Sequence, residues 1–438
     1  MLPPAITAMH LFSTRFQRRT QVTSLLLFVL LIPAAAAVAK KAVPTVDSPH
    51  RVGLADSRIG YESAAYRTDS KVVIEVSGIR QALDRLSHET PLGLPAVGEG
   101  AQAAEIDLGR QLFFDRRLSA NDTLSCAMCH IPEQGFTQNE LATPVGHQGK
   151  GVRRNVPSLY NVAFVQQLFL DGRESSLVEQ IWSPLLAHNE MANQDRQSVI
   201  AKIATIETYA QQFERLYSGG LSELSLGLAL AAYQRALLSG DSDFDRWYFA
   251  DAALSIDNYS AEAALGFALF REKGCIGCHQ LGDDSSLFSD GGFHNTGIGY
   301  LRQQRGVKLD KVQLAPGVYV VPLVSAETET FIDDGRAEVT GQSQNRWQYR
   351  TPSLRNVAIT FPYMHDGSLP TLESVLAYYG RGGSGDPLQD ARISDTTITV
   401  SEQQALVAFL RTLTSNQVDA LVSDARSVVI GERGAAGL

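Results

Sequence analysis

Apolar residues recur at helical spacing in two separated stretches of the chain, and a cysteine–histidine motif follows each stretch. The first stretch is Ile106–Phe114 (IDLGRQLFF) and the second is Ala261–Phe270 (AEAALGFALF). This spacing predicts a helix in each. Amphipathic helices are also predicted at Ser222–Leu238 and at Ser401–Leu413, with Ser401 as the N-cap residue of the latter. The pattern amounts to a weak internal repeat of helix, motif and later helix.

Strand signals are few, so the chain is predicted to be mainly helical with long loops. One short strand is predicted at Lys71–Val76, and the glycine-rich stretches 291–299 and 380–385 are predicted to be loops. The predicted organisation is a signal peptide (1–39), a tether (40–88), an N-terminal domain (89–255) and a C-terminal domain (256–438).

The first 39 residues have the pattern of a secretory signal peptide. Arg15, Arg18 and Arg19 precede the apolar run 23–33, and Ala37-Val38-Ala39 fits a cleavage site. The run is short for a membrane span, which makes an uncleaved anchor the less favoured alternative. The expected location is the periplasm.

Composition and charge narrow the functional class. Hydrophobic residues make up 44% of the chain and charged residues 19%, values that are ordinary for a globular protein. The formal net charge is −9, and it becomes −12 once the three arginines of the predicted signal peptide are removed. Because nucleic-acid binding needs a basic surface, this balance argues against a nucleic-acid partner.

All four cysteines fall in two C-x-x-C-H motifs, Cys126-Ala127-Met128-Cys129-His130 and Cys275-Ile276-Gly277-Cys278-His279. Covalent haem attachment needs two thiols for the vinyl groups and a histidine for the iron, and this spacing supplies all three. A zinc site built from both pairs is disfavoured, because the pairs are 149 residues apart and the repeated histidine would be unexplained. The sequence therefore predicts two c-type haems, with His130 and His279 as proximal ligands.

The order of the motifs resembles the bacterial diheme cytochrome c peroxidases and the related methylamine-utilisation enzyme MauG, over residues 92–414. The segments that carry the resemblance are Leu108–Asp115 (LGRQLFFD), Arg154–Asn161 (RNVPSLYN), Asp171–Arg173 (DGR), Phe293–Asn295 (FHN), Thr351–Asn356 (TPSLRN) and Pro362–Gly367 (PYMHDG). The resemblance implies two cytochrome c-like, mainly helical domains, each wrapped around one covalently bound haem.

The resemblance also implies that the N-terminal haem reacts with peroxide, with Gln180 and Glu190 as distal residues. A carboxylate can move the proton that O–O cleavage requires, and a neutral amide can orient the peroxide. His147 matches the removable sixth iron ligand of the peroxidases, a position at which MauG-type members have no ligand. The alternative is that His147 is an ordinary loop histidine.

The resemblance further implies a distal ligand for the second haem and a calcium ion between the domains. Where the peroxidases have a methionine ligand, this chain has Tyr379, as MauG does, and Met364 is the alternative ligand. A phenolate favours ferric and higher iron states. The calcium positions are the Asn155 side chain and the carbonyls of Thr360 and Pro362, all oxygen donors.

One departure from the family concerns electron transfer. The family places a tryptophan between the haems, and this chain has Leu170, which cannot be oxidised at biological potentials. A relay through this position is therefore in doubt.

The leading hypothesis is a diheme peroxidase that reduces hydrogen peroxide with electrons from a small c-type cytochrome or another exported donor, and a homodimer is compatible with it. A MauG-like oxidase acting on aromatic residues of a partner protein is the runner-up. A non-catalytic electron carrier with two six-coordinate haems is a third possibility.

Overall fold

Helices form most of the regular structure in a computed structural model of the chain. The model describes residues 90–430 except 99, 252–255, 257, 306–311, 316–317 and 321–332. Its helices, in chain order, are α1 Ala103–Phe114, α2 Cys126–Cys129, α3 Leu177–Gln180, α4 Trp182–Leu186, α5 Arg196–Ala204, α6 Glu207–Leu216, α7 Glu223–Ala236, α8 Asp243–Tyr248, α9 Ala261–Glu272, α10 Ile298–Arg305, α11 Ala337–Thr340, α12 Leu372–Gly380, α13 Val400–Arg411 and α14 Val418–Arg426. The prediction of a mainly helical chain is confirmed.

The few strands of the described residues form two small antiparallel pairs. Strand β1 (Phe293–Asn295) pairs with β4 (Gln348–Arg350), and β2 (Val312–Ala315) pairs with β3 (Val318–Val320). The stretch 291–299 was predicted to be a loop, but it contains β1, which pairs with a strand that is distant in sequence. Local sequence cannot predict such a pairing in a glycine-rich segment.

Two helix pairs, α1 with α7 and α9 with α13, cross in the same way. A β-carbon on Gly109 would lie 1.9 Å from the Ala229 carbonyl oxygen, and one on Gly266 would lie 1.9 Å from the Ala405 carbonyl oxygen. Only glycine permits two helix backbones to approach this closely. The weak sequence repeat thus corresponds to a repeated helix packing.

The repeat extends to the turns that follow the two Pro-Ser-Leu segments. Asn161 and Asn356 both have left-handed backbones, with φ of 62° and 61°. The Asn161 amide donates to the Leu237 carbonyl and its Oδ1 accepts from Ser239, while Asn356 makes the same bonds with Leu413 and Ser415. Each asparagine therefore anchors the residues just beyond a core helix, α7 in one half and α13 in the other.

Two apolar clusters form the main cores. One extends from Ile106 to Leu237 and includes residues of α14, and the other contains Phe244 together with residues between Phe267 and Leu413. Helix α14 thus packs on the first cluster and Phe244 on the second, each across the predicted division at residue 255. The domain boundaries stay a prediction.

The starts of two helices bear on the predictions. The helix predicted at Ser222–Leu238 is confirmed as α7, and the Ser222 hydroxyl caps it by accepting from the Ser225 amide. The prediction for Ser401 is wrong, because Thr399 is the N-cap of α13 and bonds reciprocally with Glu402. The predicted strand at 71–76, the signal peptide and the tether lie outside the described residues. No helix in the described part of the chain has both the length and the apolarity for a membrane span.

Candidate functional site

The first C-x-x-C-H motif opens into a cavity of about 570 Å³. The cavity is lined by Cys126 and Cys129, the first and last residues of α2, by His130 directly after this helix, and by Gln180 and Glu190. A cavity of this size is typical of ligand and cofactor sites. The structure therefore brings together the predicted attachment residues and both predicted distal residues around one space.

The His130 imidazole has the state that an iron ligand requires. Its Nδ1 lies 2.9 Å from the Phe136 carbonyl oxygen, which fixes the proton on Nδ1 and leaves Nε2 with its lone pair. Burial lowers the pKa of His130 to about 4, so the ring is neutral at pH 7. Burial also raises the pKa of Cys126 to about 12, so the thiol is protonated before any attachment. These residues fit a haem group.

Glu190 lies on a short turn after α4, where its carboxyl group is largely removed from water. Burial raises its pKa, and the positive charge of Arg173 opposes the rise. Arg173 also lines the cavity, where its guanidinium lies over the Phe169 ring at 3.4 Å and contacts the Asp171 carboxylate at 3.0 Å. A carboxyl group with a raised pKa in a cavity is suited to accepting and returning a proton.

His147 is not among the described residues that line the cavity, whereas Gln180 and Glu190 are. The His147 amide donates to the Glu190 carbonyl at 2.9 Å, and the preceding residue, Gly146, lines the cavity. The buried Nδ1 of His147 has no hydrogen-bond partner among the described residues. Its role as a sixth ligand stays a prediction.

The second C-x-x-C-H motif repeats the histidine geometry of the first. His279 Nδ1 lies 2.9 Å from the Phe288 carbonyl oxygen, and burial lowers the pKa of His279. Cys275 begins a 3₁₀ turn that ends at Gly277, and Phe270 packs near the His279 ring at 6.5 Å between centroids. The second motif therefore fits a haem group by the same arrangement of side chains.

The phenol of Tyr379, the predicted distal ligand of the second haem, has a raised pKa. Burial is the main cause, and Tyr378, Cys278 and Cys275 add to the rise. It lies at the end of α12, with its ring against Tyr378 at 5.6 Å. Met364 sits in a left-handed turn with φ of 73°. Neither residue is established as the ligand.

Two of the predicted calcium positions, the carbonyls of Thr360 and Pro362, lie on one loop that the N-terminal half contacts at two points. The Asn155 amide donates to the His365 carbonyl at 2.7 Å, and Asn139 Nδ2 donates to the Ile359 carbonyl at 3.2 Å. Thr360 and Pro362 lie between these contacts. Asn139 Oδ1 is buried without a hydrogen-bond partner among the described residues. A buried oxygen with no donor suits a cation, so the loop fits calcium.

Arg173, Glu338 and Val339 are among the lining residues to which the sequence analysis assigns no role. Arg173 belongs to the motif Asp171–Arg173, so the sequence analysis could have included it as a candidate site residue. Glu338 and Val339 belong to α11 and reach the cavity from the other half of the chain. An ion pair of 2.8 Å between Arg153 and Glu338 connects α11 to the N-terminal half, and no local sequence pattern predicts this contact.

These features define a protein that binds two haems in a duplicated helical scaffold. The pattern of the family described as di-haem cytochrome c peroxidase matches residues 103–253. A methylamine utilization protein MauG of Methylorubrum extorquens is 34% identical over 315 residues, which cover 70% of this chain and 78% of the relative. A cytochrome-c peroxidase of Denitromonas iodatirespirans is 32% identical over 353 residues, 75% of this chain and 87% of the relative.

Solved structures agree with this assignment. A MauG-like protein associated with microbial copper homeostasis has a TM-score of 0.58 at 28% identity, covering 76% of this chain and 95% of that protein. The diheme peroxidase BthA from Burkholderia thailandensis has a TM-score of 0.56 at 25% identity, covering 76% and 93%. The chain belongs to the di-haem cytochrome c peroxidase family, which implies two haem cofactors.

Proposed function

We propose that the chain is a diheme c-type peroxidase that reduces hydrogen peroxide to water in the periplasm, with electrons from a small c-type cytochrome or another exported donor. One observation carries the proposal: the first C-x-x-C-H motif, Gln180 and Glu190 line a single cavity. In the proposed arrangement each half is a cytochrome c-like domain, with thioether bonds from Cys126 and Cys129 in one and from Cys275 and Cys278 in the other.

The chain's own residues account for the proton movements. His130 would hold the haem of this cavity, and the haem would supply the iron and the electrons for cleavage of the O–O bond. Glu190 takes the proton from one oxygen of the peroxide and returns it to the oxygen that leaves as water. Gln180 orients the peroxide through its amide without titrating. The positive charge of Arg173 favours the ionised form of Glu190, which is the form that accepts the proton.

The second half serves electron delivery. His279 would hold the second haem, and Tyr379 would occupy its distal side, which lowers its potential relative to a thioether ligand. Calcium held by Asn155 and by the carbonyls of Thr360 and Pro362 would fix the loop where the two halves meet. His147 would be a removable ligand of the first haem, and its imidazole would have to turn into the cavity.

Steady-state turnover tests the proposal. The holoprotein is mixed with hydrogen peroxide and reduced cytochrome c, and the oxidation of the cytochrome is followed by its absorbance. The expected result is peroxide-dependent oxidation of two cytochrome molecules per peroxide. A holoprotein that consumes no peroxide with any donor would contradict the proposal.

A MauG-like oxidase remains the second candidate, because this chain has Tyr379 where the resemblance to MauG implies a tyrosine and because a MauG protein is among the relatives. In this role the two oxidising equivalents would pass to aromatic residues of a partner protein. Slow turnover with every small donor, together with cross-linking or hydroxylation of a co-purified protein after peroxide treatment, would favour this candidate. Rapid cytochrome oxidation would count against it.

A further inference from the structure

Aromatic rings form a continuous chain from His279 towards the surface of the second half. Centroid distances are 6.5 Å from His279 to Phe270 and 5.2 Å from Phe270 to Phe409. They are 5.4 Å from Phe409 to Phe267 and 5.8 Å from Phe267 to Trp247. The three phenylalanines are buried and cannot be oxidised by a peroxidase, so they form a dry, close-packed medium that leads to Trp247.

The outer end of this chain consists of side chains that can lose an electron. Trp247 stacks on Tyr259 with centroids 4.3 Å apart and planes within 6°. Tyr248 stands beside them and is 41% exposed. The Tyr259 hydroxyl lies 2.8 Å from Thr412 Oγ1, whose own hydroxyl donates to the Phe409 carbonyl, so this bond fixes the orientation of the phenol. Indole and phenol are the most easily oxidised side chains apart from thiols and thioethers.

The first half lacks this outlet, although its inner rings are arranged in the same way. Phe113 lies 6.4 Å from His130 and 5.3 Å from Tyr233, which matches the inner contacts of the second half. The residue after the crossing glycine is Arg110 in the first half, where the second half has Phe267. Arg110 pairs with Asp424 at 2.6 Å, so a charged pair stands where the aromatic chain would continue.

We propose that Trp247, Tyr259 and Tyr248 form a surface site at which small aromatic one-electron donors are oxidised without contacting either haem. The inference rests on the proposed peroxidase function, which supplies the oxidant. Hydrogen peroxide gains two electrons and two protons and becomes two water molecules. Two donor molecules each lose one electron, and a phenol also loses its hydroxyl proton, so two phenoxyl radicals form per peroxide.

The charge at the site sets the class of donor. Asp243 is exposed at the first turn of α8 and contributes, after burial, to raising the pKa of Tyr259 to about 12. The chain as a whole is also acidic, with a formal charge of −9. Neutral phenols and cationic aromatic amines therefore suit the site, whereas anionic aromatic donors are repelled.

The experiment uses the holoprotein, hydrogen peroxide and a nitroso spin trap in the absence of any donor. After digestion, mass spectrometry locates the trapped radical. We expect the adduct within residues 241–260. Because Tyr248 also packs on Phe267, with centroids 5.5 Å apart, we expect Trp247→Phe to weaken the adduct and Trp247→Phe/Tyr248→Phe to abolish it. In a parallel assay with tetramethyl-p-phenylenediamine as the donor, Trp247→Phe is expected to lose roughly tenfold or more in rate. Trp247→Tyr, which restores an oxidisable ring, is expected to recover both signals.

Trp347→Phe is the matched control, because Trp347 is a tryptophan that packs against Tyr300 and Arg346 and lies outside this chain of rings. It is expected to leave the adduct and the amine oxidation unchanged. A wild-type protein that consumes peroxide with reduced cytochrome c but carries no adduct in 241–260 would overturn the outlet and leave the peroxidase function intact. A wild-type protein that consumes no peroxide would overturn the proposed function itself.

Discussion

The two halves of the molecule share one helical scaffold around a C-x-x-C-H motif, but the side chains that surround the motif differ. In both, a helix crosses another at a glycine, a left-handed asparagine anchors the residues after the second helix, and a backbone carbonyl holds Nδ1 of the motif histidine. The first half opens into a cavity with Glu190, Gln180 and Arg173. The second packs phenylalanines out to Trp247 and Tyr259. In the proposed function the shared positions would hold the two haems, and the positions that differ would decide which molecules each haem contacts.

The largest expected effect is the loss of peroxide turnover on substitution of Glu190, which lines the cavity of the first half only. Glu190→Gln keeps the shape of the side chain and removes its ability to accept a proton, so peroxide turnover should fall by about 100- to 10,000-fold. Glu179→Gln is the matched control, because the Glu179 carboxylate pairs with Arg196 on the surface and does not line the cavity. Wild-type turnover in Glu190→Gln would contradict the proton-transfer role of Glu190 and the assignment of peroxide chemistry to the first half.

The next effect concerns the contact between the halves. Arg154 pairs with Asp333 at 2.7 Å in a buried setting, and it also contacts Asp171. Removal of one partner leaves a buried charge less compensated, so Asp333→Asn should lower the free energy of unfolding by on the order of 3 kcal/mol at pH 7. Asp334→Asn, which breaks a surface pair with Arg346, should lower it by less than about 1 kcal/mol. Urea unfolding measures both.

The pH dependence of this pair has a definite sign. Arg154 holds the pKa of Asp333 below its usual range despite burial, so the folded protein keeps this carboxylate ionised to lower pH than the unfolded chain does. The stabilisation is present above the pKa of an unfolded aspartate and is lost as the pH falls towards the folded pKa. The difference between wild type and Asp333→Asn should therefore shrink on acidification below about pH 4. A difference that grows instead would contradict this account.

The smallest of the three effects tests whether the two helix crossings are equivalent. Gly109→Ala and Gly266→Ala each place a methyl group against a carbonyl oxygen, so each should destabilise the protein by about 2 kcal/mol. Alanine normally stabilises a helix interior relative to glycine, so a loss of stability in these variants would itself indicate the close helix contact. Gly98→Ala, where nothing lies within 4 Å, is the control. Loss of stability in only one of the two variants would show that the halves pack differently.

Local chemistry explains which features could be predicted from the sequence. The C-x-x-C-H motifs specify attachment within five residues, and the helical periodicity of α1 and α9 is equally local. The N-cap of α13 was predicted wrongly as Ser401, which has Gln404 three residues later. Thr399 has Glu402 at the same spacing and forms the capping box in the structure.

Features that depend on distant parts of the chain could not be predicted in this way. Glu338 and Val339 line the cavity of the first motif although they lie about 200 residues beyond it. Strand β1 pairs with β4 across more than 50 residues. The aromatic chain joins α8, α9 and α13, and it emerges only when the three helices are packed together. Periodicity within a helix identifies a buried face but not the rings that face it from elsewhere.

The central claim is that both motifs carry covalent haem. Acid–acetone extraction of the denatured protein followed by intact mass spectrometry tests it directly, using the wild type and the variants Cys126→Ala/Cys129→Ala and Cys275→Ala/Cys278→Ala. The account predicts the mass of the polypeptide plus two haem groups for the wild type and plus one haem group for each double variant. A bare polypeptide mass for the wild type would contradict it.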